Sequence, residues 1–153
     1  MSHQLRKLDY RSRALELEAT MLQHGALAGV DTEMLCPVNH SYADGSYIRE
    51  WNSPPGVLVV SKIHKVAHPF FLMRGSISIL TEDGIEVVSA PYHGITRPGT
   101  KRILFTHDEV QWVTVHVTEE TDLALIEAQI IAVDFTDPQL TDEDITSLME
   151  SVK

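Results

Sequence analysis

The sequence has almost no cysteine and no long apolar segment. Cys36 is the single cysteine among 153 residues, so no disulfide can form within the chain, which is typical of proteins that fold in a reducing compartment. No apolar run approaches the roughly 18 residues of a membrane-spanning helix. The polar N-terminal residues are not followed by the apolar stretch of a secretory signal. We therefore expect neither a membrane protein nor a secreted, disulfide-bonded domain.

Basic residues are also scarce. Lysine and arginine number 12 against 22 acidic residues, and the formal net charge is −10. A protein this acidic is repelled by nucleic acid unless its cations cluster. The one basic cluster lies between Arg6 and Arg13, is short, and is better explained as a solvated helix face. Nucleic acid is therefore not an expected partner.

The N-terminal quarter of the chain predicts one helix followed by a loop. Apolar residues recur at helical spacing over residues 4–24, and Gly25 is a plausible stop. The apolar stripe, Leu5, Leu8, Leu15, Met21 and Leu22, must cover either this domain or a neighbouring subunit. Residues 25–45 are rich in glycine, proline, asparagine and aspartate, and we expect a loop there.

The rest of the chain predicts strands. A short strand is expected over residues 46–51, and the pattern from Val57 to Ala132 is almost entirely β, with turns about every ten residues. This spacing favours a sandwich or a jelly-roll barrel and disfavours a parallel α/β sheet. Thr141 can cap a short C-terminal helix that runs to Met149. We expect three regions: a helix and extended arm (1–45), a barrel (46–133) and a helical tail (134–153).

Two short motifs resemble those of the cupin superfamily. Cupins carry His-x-His, three or four residues, a glutamate, six residues and a glycine; the matching positions here are Lys62, His64, His68 and Gly75. The second cupin motif has a Pro-Gly turn followed by a histidine and an asparagine. Here Pro98-Gly99 is followed by Arg102, which stands where the third metal-binding histidine is expected.

More narrowly, residues 36–128 resemble the small single-domain cupins of tailed bacteriophages. The segments that carry this resemblance are 36–40, 47–50, 62–65, 98–102 and 112–116. The resemblance implies an all-β, cupin-like jelly-roll barrel with an N-terminal helix and a short C-terminal helix. It also implies a binding or structural accessory protein, a virion component among the options, located in the cytoplasm of a bacterial host or in the virion.

Three histidines are candidate ligands of a divalent transition metal. Imidazole binds such metals through a neutral nitrogen. His64 and His68 would lie about 13 Å apart in a straight strand, so a bend at Val66-Ala67 is required for them to share one ion. His116 is the candidate third ligand. Val113, Val115 and Val117 make the opposite face of its strand look like the core, so parity favours an outward His116, and a surface position stays open.

Three further residues are candidates for ligand binding. If Lys62 and Arg102 both face the cavity, they form a cationic pocket for a carboxylate or phosphate. The alternative for Lys62 is a position at the barrel rim, paired with an acidic residue. Apolar residues 103–105 directly follow Arg102 and favour an inward guanidinium. His93 is a weaker candidate for the same site.

Three functions therefore stay open. The first is the accessory protein. The second is a mononuclear metal-dependent enzyme, an oxygenase or isomerase acting on a small anionic substrate through His64, His68 and His116. The third is a metal-free sugar-binding or epimerase-like protein that uses Arg102 and His68. For any of them we expect a homo-oligomer with residues 1–50 in its interface, and other virion proteins as further candidate partners.

Overall fold

The computed structural model describes residues 2–140 and begins with one long helix. Helix α1 spans His3–Gln23, which confirms the helix predicted over residues 4–24. The Ser2 side chain accepts a hydrogen bond from the Leu5 amide and caps its first turn. Gly25 follows with a φ of +86°, a conformation that a residue with a side chain rarely adopts.

Eleven strands are present in the described part of the chain. They are β1 (Val38–Ala43), β2 (Ser46–Ser53), β3 (Leu58–Val60), β4 (Ile63–His64), β5 (His68–Arg74), β6 (Ser76–Thr81), β7 (Gly84–Ser89), β8 (Tyr92–Thr96), β9 (Ile103–Thr106), β10 (Val110–Val117) and β11 (Ile131–Ala132). They form a five-stranded sheet in the order β1-β2-β10-β5-β8, a four-stranded sheet β3-β9-β6-β7 and the pair β11-β4. All pairings are antiparallel. The predicted jelly-roll barrel is thus confirmed.

Two local predictions were wrong. The segment 25–45, predicted as a loop, contains a 3₁₀ helix, Gly29–Met34, and strand β1, because residues 38–43 pair in register with β2 across a two-residue turn. The second error lies within the region predicted as β. Helix α2 spans Leu123–Ile130, where Asp122 caps the first turn and the run is rich in good helix formers. The C-terminal helix predicted over residues 141–149 lies outside the described residues.

The five-stranded sheet buries an apolar row at the floor of the barrel. Cross-strand partners align five inward side chains in this row: Val38, Trp51, Trp112, Leu72 and Tyr92. Ile77, Ile79 and Leu104 of the four-stranded sheet pack against them and complete the main core. Burial of such side chains is the main stabilising term of the barrel, about 1.5–3 kcal/mol each.

Helix α1 packs on its own barrel through a mixed polar face. The Tyr10 hydroxyl donates to the carbonyl oxygens of Leu80 (3.0 Å) and Lys101 (2.6 Å). Ala14 is fully buried, and the Lys101 ammonium lies 2.9 Å from the Glu18 carboxylate. The helix therefore does cover this domain, but with a face other than the predicted leucine stripe. Leu5, Leu15 and Leu22 stay 49%, 43% and 48% exposed.

Neither α1 nor α2 is both long and apolar enough to cross a lipid bilayer.

Candidate ligand-binding site

The two motif histidines meet across a bend. Strand β4 ends at His64, β5 begins at His68, and the backbone bends at Val66 between them. The Gly99 amide donates to the His64 carbonyl (2.7 Å), and the Thr100 carbonyl accepts from the His64 amide (3.0 Å). These bonds hold β4 against the Pro98-Gly99 turn. The two imidazole centroids consequently lie 4.9 Å apart, so the bend required by the spacing is present.

His116 joins this pair from strand β10, the neighbour of β5 in the five-stranded sheet. Its face of β10, with Val110, Trp112 and Thr114, is buried, whereas Val117 on the opposite face is 93% exposed. The expectation from strand alternation that His116 points outward was therefore wrong, because the indole of Trp112, and not the smaller valines, fills the core. The ring centroids of His116 and His68 lie 4.4 Å apart.

Arg102 lies inside the barrel without a counter-ion from residues 2–140. It is 6% exposed, and its guanidinium carbon lies 4.8 Å from the Phe70 ring centroid and 5.7 Å from that of Trp112. Among residues 2–140, no carboxylate forms an ion pair with it. Burial lowers the pKa of Arg102 to about 10, against the opposing effects of Tyr10 and Tyr92. It remains a cation at neutral pH.

Four polar atoms in this region are buried and have no hydrogen-bond partner in the described part of the chain. They are His64 Nδ1, His68 Nε2, Thr96 Oγ1 and Arg102 Nε. Thr96 is the cross-strand partner of His68, and it is fully buried. Most buried polar groups in folded proteins are hydrogen-bonded, so several orphans in one place indicate a missing ligand, ion or water.

Arg49 is a cation of this site that the sequence reasoning did not single out. It lies on the inward face of β2, between the buried residues Tyr47 and Trp51, and its cross-strand neighbour on β10 is Thr114. Like Arg102, it forms no ion pair with a described carboxylate. Desolvation lowers its pKa, while Tyr47, Glu33 and Glu127 act in the opposite direction. The alternation with two inward aromatic residues was the signal available in the sequence.

Together these side chains form what we call the histidine–arginine chamber: His64, His68, His116, Arg49, Arg102, Thr96 and Thr114. Five of them lie on strands of the five-stranded sheet, directly above the apolar floor, whereas His64 belongs to β4 and Arg102 precedes β9. Arg49, Thr114 and Phe70 align in the lower row, and Tyr47 and His116 pair in the upper row. The chamber is thus a polar layer over an aromatic floor.

The imidazoles of the chamber are uncharged at neutral pH. Desolvation, then His68, Arg102, His116 and Arg49, lowers the pKa of His64 to about 3. Desolvation and the neighbouring His68 and Arg49 lower that of His116 to about 3 as well. Burial also lowers the pKa of His68, although its ring nitrogen Nδ1 lies 3.1 Å from the Val66 carbonyl oxygen, which favours the protonated form. The positive charge of the chamber therefore resides on the two arginines.

Lys62 and His93 lie outside the chamber. The Lys62 side chain is 58% exposed and forms an ion pair with Glu127 of α2, so it occupies the rim position considered above. His93 is exposed on the outer face of β8, beside Phe71, with ring centroids 6.1 Å apart.

Helix α2 covers the chamber at its histidine end. Ile126 and Ile130 pack on Tyr47, whose ring stacks on His116 at 5.6 Å. The Ile130 carbonyl accepts a hydrogen bond from the Lys65 amide, and Ile131 pairs with His64. A separate surface groove of about 260 Å³ lies outside this cover, lined by residues that include Leu15, Lys62 and Glu127. None of the three chamber histidines lines that groove.

The chamber contains side chains that are suitable metal ligands, but their nitrogen atoms are not spaced as in a metal site. Neutral imidazoles with orphaned nitrogens are suitable donors for a transition metal. Metal–nitrogen bonds of 2.0–2.1 Å would place the nitrogens about 3–3.5 Å apart. Among residues 2–140, the group whose ligand atoms all lie within 4.8 Å of one another is His3, Glu82 and Asp83, at the surface. The chamber histidines would have to rotate to share an ion, and two cations stand beside them.

Comparison with known proteins identifies the fold. No family profile and no curated protein matches the sequence. Among solved structures, the DMSP lyase DddQ of Ruegeria pomeroyi aligns with a TM-score of 0.52 and 16% identity, over 65% of this chain and 55% of that one. A cupin 2 domain-containing protein of Halorhodospira halophila aligns at 0.49 and 14% identity, over 64% and 71% of the two chains. A cupin domain of Bordetella pertussis aligns at 0.44 and 14% identity, over 55% and 94%. The likeness to DddQ, with a TM-score above 0.5, concerns the fold alone, which is a cupin-like jelly-roll barrel in this chain.

Proposed function

We propose that this protein binds a small anionic molecule inside its cupin barrel. The observation that carries the proposal is Arg102, a buried guanidinium without a carboxylate partner among the described residues, whose Nε–H has no acceptor. An uncompensated buried charge costs several kcal/mol, so such groups are normally paired. A bound carboxylate or phosphate would supply both the counter-charge and the missing acceptor.

The other orphaned atoms support an organic anion over water alone. The Thr96 hydroxyl can donate to a carboxylate or phosphate oxygen, and the neutral imidazoles can donate or accept according to tautomer. Water can satisfy these groups individually, but it cannot neutralise Arg102. The aromatic floor formed by Phe70 and Trp112 excludes solvent from one side of the guanidinium and strengthens its interaction with an anion.

Thermal unfolding with added anions tests this proposal. Phosphate, acetate, succinate and citrate should be compared at constant ionic strength. A ligand at 100 times its dissociation constant stabilises the folded state by about 2.7 kcal/mol. We expect at least one anion to raise the melting temperature, and Arg102→Met to abolish the rise. Arg74→Met, which removes an exposed arginine paired with Glu109, is the matched control and should keep it. An equal rise in the Arg102→Met protein would refute the proposal.

A second candidate is a divalent transition metal held by His64, His68 and His116. The unpartnered nitrogens His64 Nδ1 and His68 Nε2 favour it. A metal bound there would supply Lewis-acid or redox chemistry, and the arginines would orient an anionic substrate. Elemental analysis of protein purified without added metal, and again after zinc, nickel, iron or copper supplementation, tests this candidate. This candidate predicts about one metal per chain, lost in His64→Ala; a metal-free protein under both conditions would exclude it.

We further propose that the binding role is an accessory one. The resemblance of residues 36–128 to cupins of tailed bacteriophages supports a place in a phage particle, with virion proteins as partners. Mass spectrometry of purified particles of the encoding phage tests this. Absence of the protein from particles, together with turnover of an anionic substrate, would instead favour the metal-dependent enzyme or the epimerase-like protein.

A further inference from the structure

The two arginines of the chamber face the same row of the sheet. Thr114 on β10 lies between Arg49 on β2 and Phe70 on β5. Adjacent strands lie about 4.8 Å apart, so the backbones of Arg49 and Phe70 are separated by roughly 10 Å across β10. Arg102 lies over the Phe70 ring. Thr114 therefore separates the strand position of Arg49 from the Phe70 ring that Arg102 contacts.

Neither guanidinium is neutralised by the described part of the protein. No hydrogen bond or ion pair links the Arg49 side chain to another described residue. Glu127 is near enough to influence it, but its carboxylate is engaged by Lys62 at the rim. Glu33 is exposed to solvent. Glu33 and Glu127 act on Arg49 without forming an ion pair with it, so a monovalent anion bound at Arg102 would leave Arg49 without a counter-charge in contact.

We infer that Arg49 is a second anion-binding residue of the chamber, and that the ligand class is small molecules with two anionic groups, such as dicarboxylates or phosphorylated carboxylic acids. This inference rests on the proposed function. One anionic group would meet Arg102 over the aromatic floor, and the other would meet Arg49 beyond Thr114. The neutral histidines and the Thr96 hydroxyl would hydrogen-bond the atoms between them.

The geometry also predicts why one arginine cannot replace the other. Arg102 is fixed by stacking on Phe70 and Trp112, whereas Arg49 is only half-buried and has no aromatic ring over its guanidinium among the described residues. Arg102 should therefore determine whether any anion binds, and Arg49 should determine the preference for a second charge. These separate roles give the two substitutions different signatures.

Isothermal titration with matched acids tests this inference. Dicarboxylates from oxalate to adipate should be compared with the monocarboxylates acetate to hexanoate, at pH 7.5 and constant ionic strength. In the wild-type chain, we expect the best dicarboxylate to bind at least tenfold more tightly than the monocarboxylate of equal length. Arg49→Met should reduce that ratio to about one while changing monocarboxylate affinity by less than threefold. Arg102→Met should abolish binding of both classes, and Arg74→Met should change neither.

The outcomes separate this inference from the proposed function. If monocarboxylates bind and the ratio is near one in the wild-type chain, or if Arg49→Met leaves a high ratio intact, the two-anion inference is overturned and anion binding stands. If neither these acids nor inorganic phosphate binds, or if binding survives in Arg102→Met, the proposed function itself fails; if phosphate alone binds, only the two-anion inference is overturned. Should Arg49→Met not fold, Arg49→Lys provides the test, because a retained charge with lost bidentate geometry should lower the ratio but keep it above one.

Discussion

The guanidinium of Arg102 lies over the ring of Phe70, 4.8 Å from its centroid, and that ring is stacked on Trp112 at 4.4 Å with an interplanar angle of 5°. The guanidinium thus lies close to both rings of a stacked pair that joins β5 to β10, since it is 5.7 Å from the Trp112 centroid as well. Gly94 lies beneath this stack, as the cross-strand partner of Phe70 on β8. The cation is consequently positioned by residues that carry no charge themselves.

A methyl group at Gly94 should disturb Arg102 indirectly. A Cβ there would lie 2.7 Å from the Phe70 ring, so the ring must move. We expect Gly94→Ala to lower the free energy of unfolding by about 1–3 kcal/mol, as overpacking does, and to weaken anion-induced stabilisation. Chemical denaturation with and without the best anion measures both effects. His93→Ala, on the exposed face of the same strand, should stay within about 0.5 kcal/mol of the wild-type chain. Equal behaviour of the two variants would contradict this account.

Acid should destabilise the metal-free protein through its chamber histidines. In the unfolded chain their pKa is about 6.5, whereas His64 and His116 have pKa values of about 3 when folded. The unfolded state binds more protons between these values, so the stability that these two histidines contribute is fully present above about pH 7 and is lost as the pH drops from 6.5 towards 3. The charged groups that face the rings, Arg49 and Arg102, act in the same direction.

Denaturation of chelator-treated protein between pH 8 and 4.5 checks this dependence. The variant His64→Gln/His116→Gln should lose less stability over this range than the wild-type chain, since two of the groups responsible have been removed. His93→Gln should follow the wild-type curve. An unchanged slope in the double variant would show that acidic side chains, and not the chamber, control acid stability.

The stability of helix α2 should depend on Ile126 and much less on its neighbour Leu125. Ile126 is 1% exposed and packs on Tyr47 over the chamber, while Leu125 is 52% exposed. Ile126→Ala should therefore lower the free energy of unfolding by about 2–5 kcal/mol. It should also increase hydrogen exchange along residues 123–130, which mass spectrometry would measure. Leu125→Ala should cost less than about 1 kcal/mol, and similar losses in both variants would place α2 elsewhere.

The exposed leucine stripe of α1 should mediate self-association. Leu5, Leu15 and Leu22 are each more than 40% exposed, although the helix contacts the barrel through Tyr10 and Glu18. We expect light scattering after size-exclusion chromatography to give a multiple of 17.1 kDa. Leu15→Asp should shift the protein towards the monomer, whereas Thr20→Asp, off the stripe, should not. A wild-type monomer at micromolar concentration would refute the homo-oligomer.

Local patterns in the sequence determined most of the fold. The spacing of leucines in residues 4–24 predicted α1, and β-branched runs between glycine and proline turns predicted the barrel, because these signals depend on neighbours in the chain. The separation of His64 and His68 required a bend, which the structure contains at Val66. The resemblance of residues 62–75 to the first cupin motif singled out His64 and His68 as a candidate pair.

The tertiary structure alone decided which polar residues share the chamber. Both faces of β10 carry residues compatible with a core, and only packing of Trp112 against Phe70 turns His116 inward. The role of Arg49 could not be predicted from its neighbours in the sequence. It depends on alignment with Thr114 and Phe70, which lie on strands that are distant along the chain. Residues 123–130 include residues that favour strands and residues that favour helices. In the helix that they form, Ile126 is buried against Tyr47. Long-range pairing sets these features, since cross-strand register and burial act between segments that no local pattern connects.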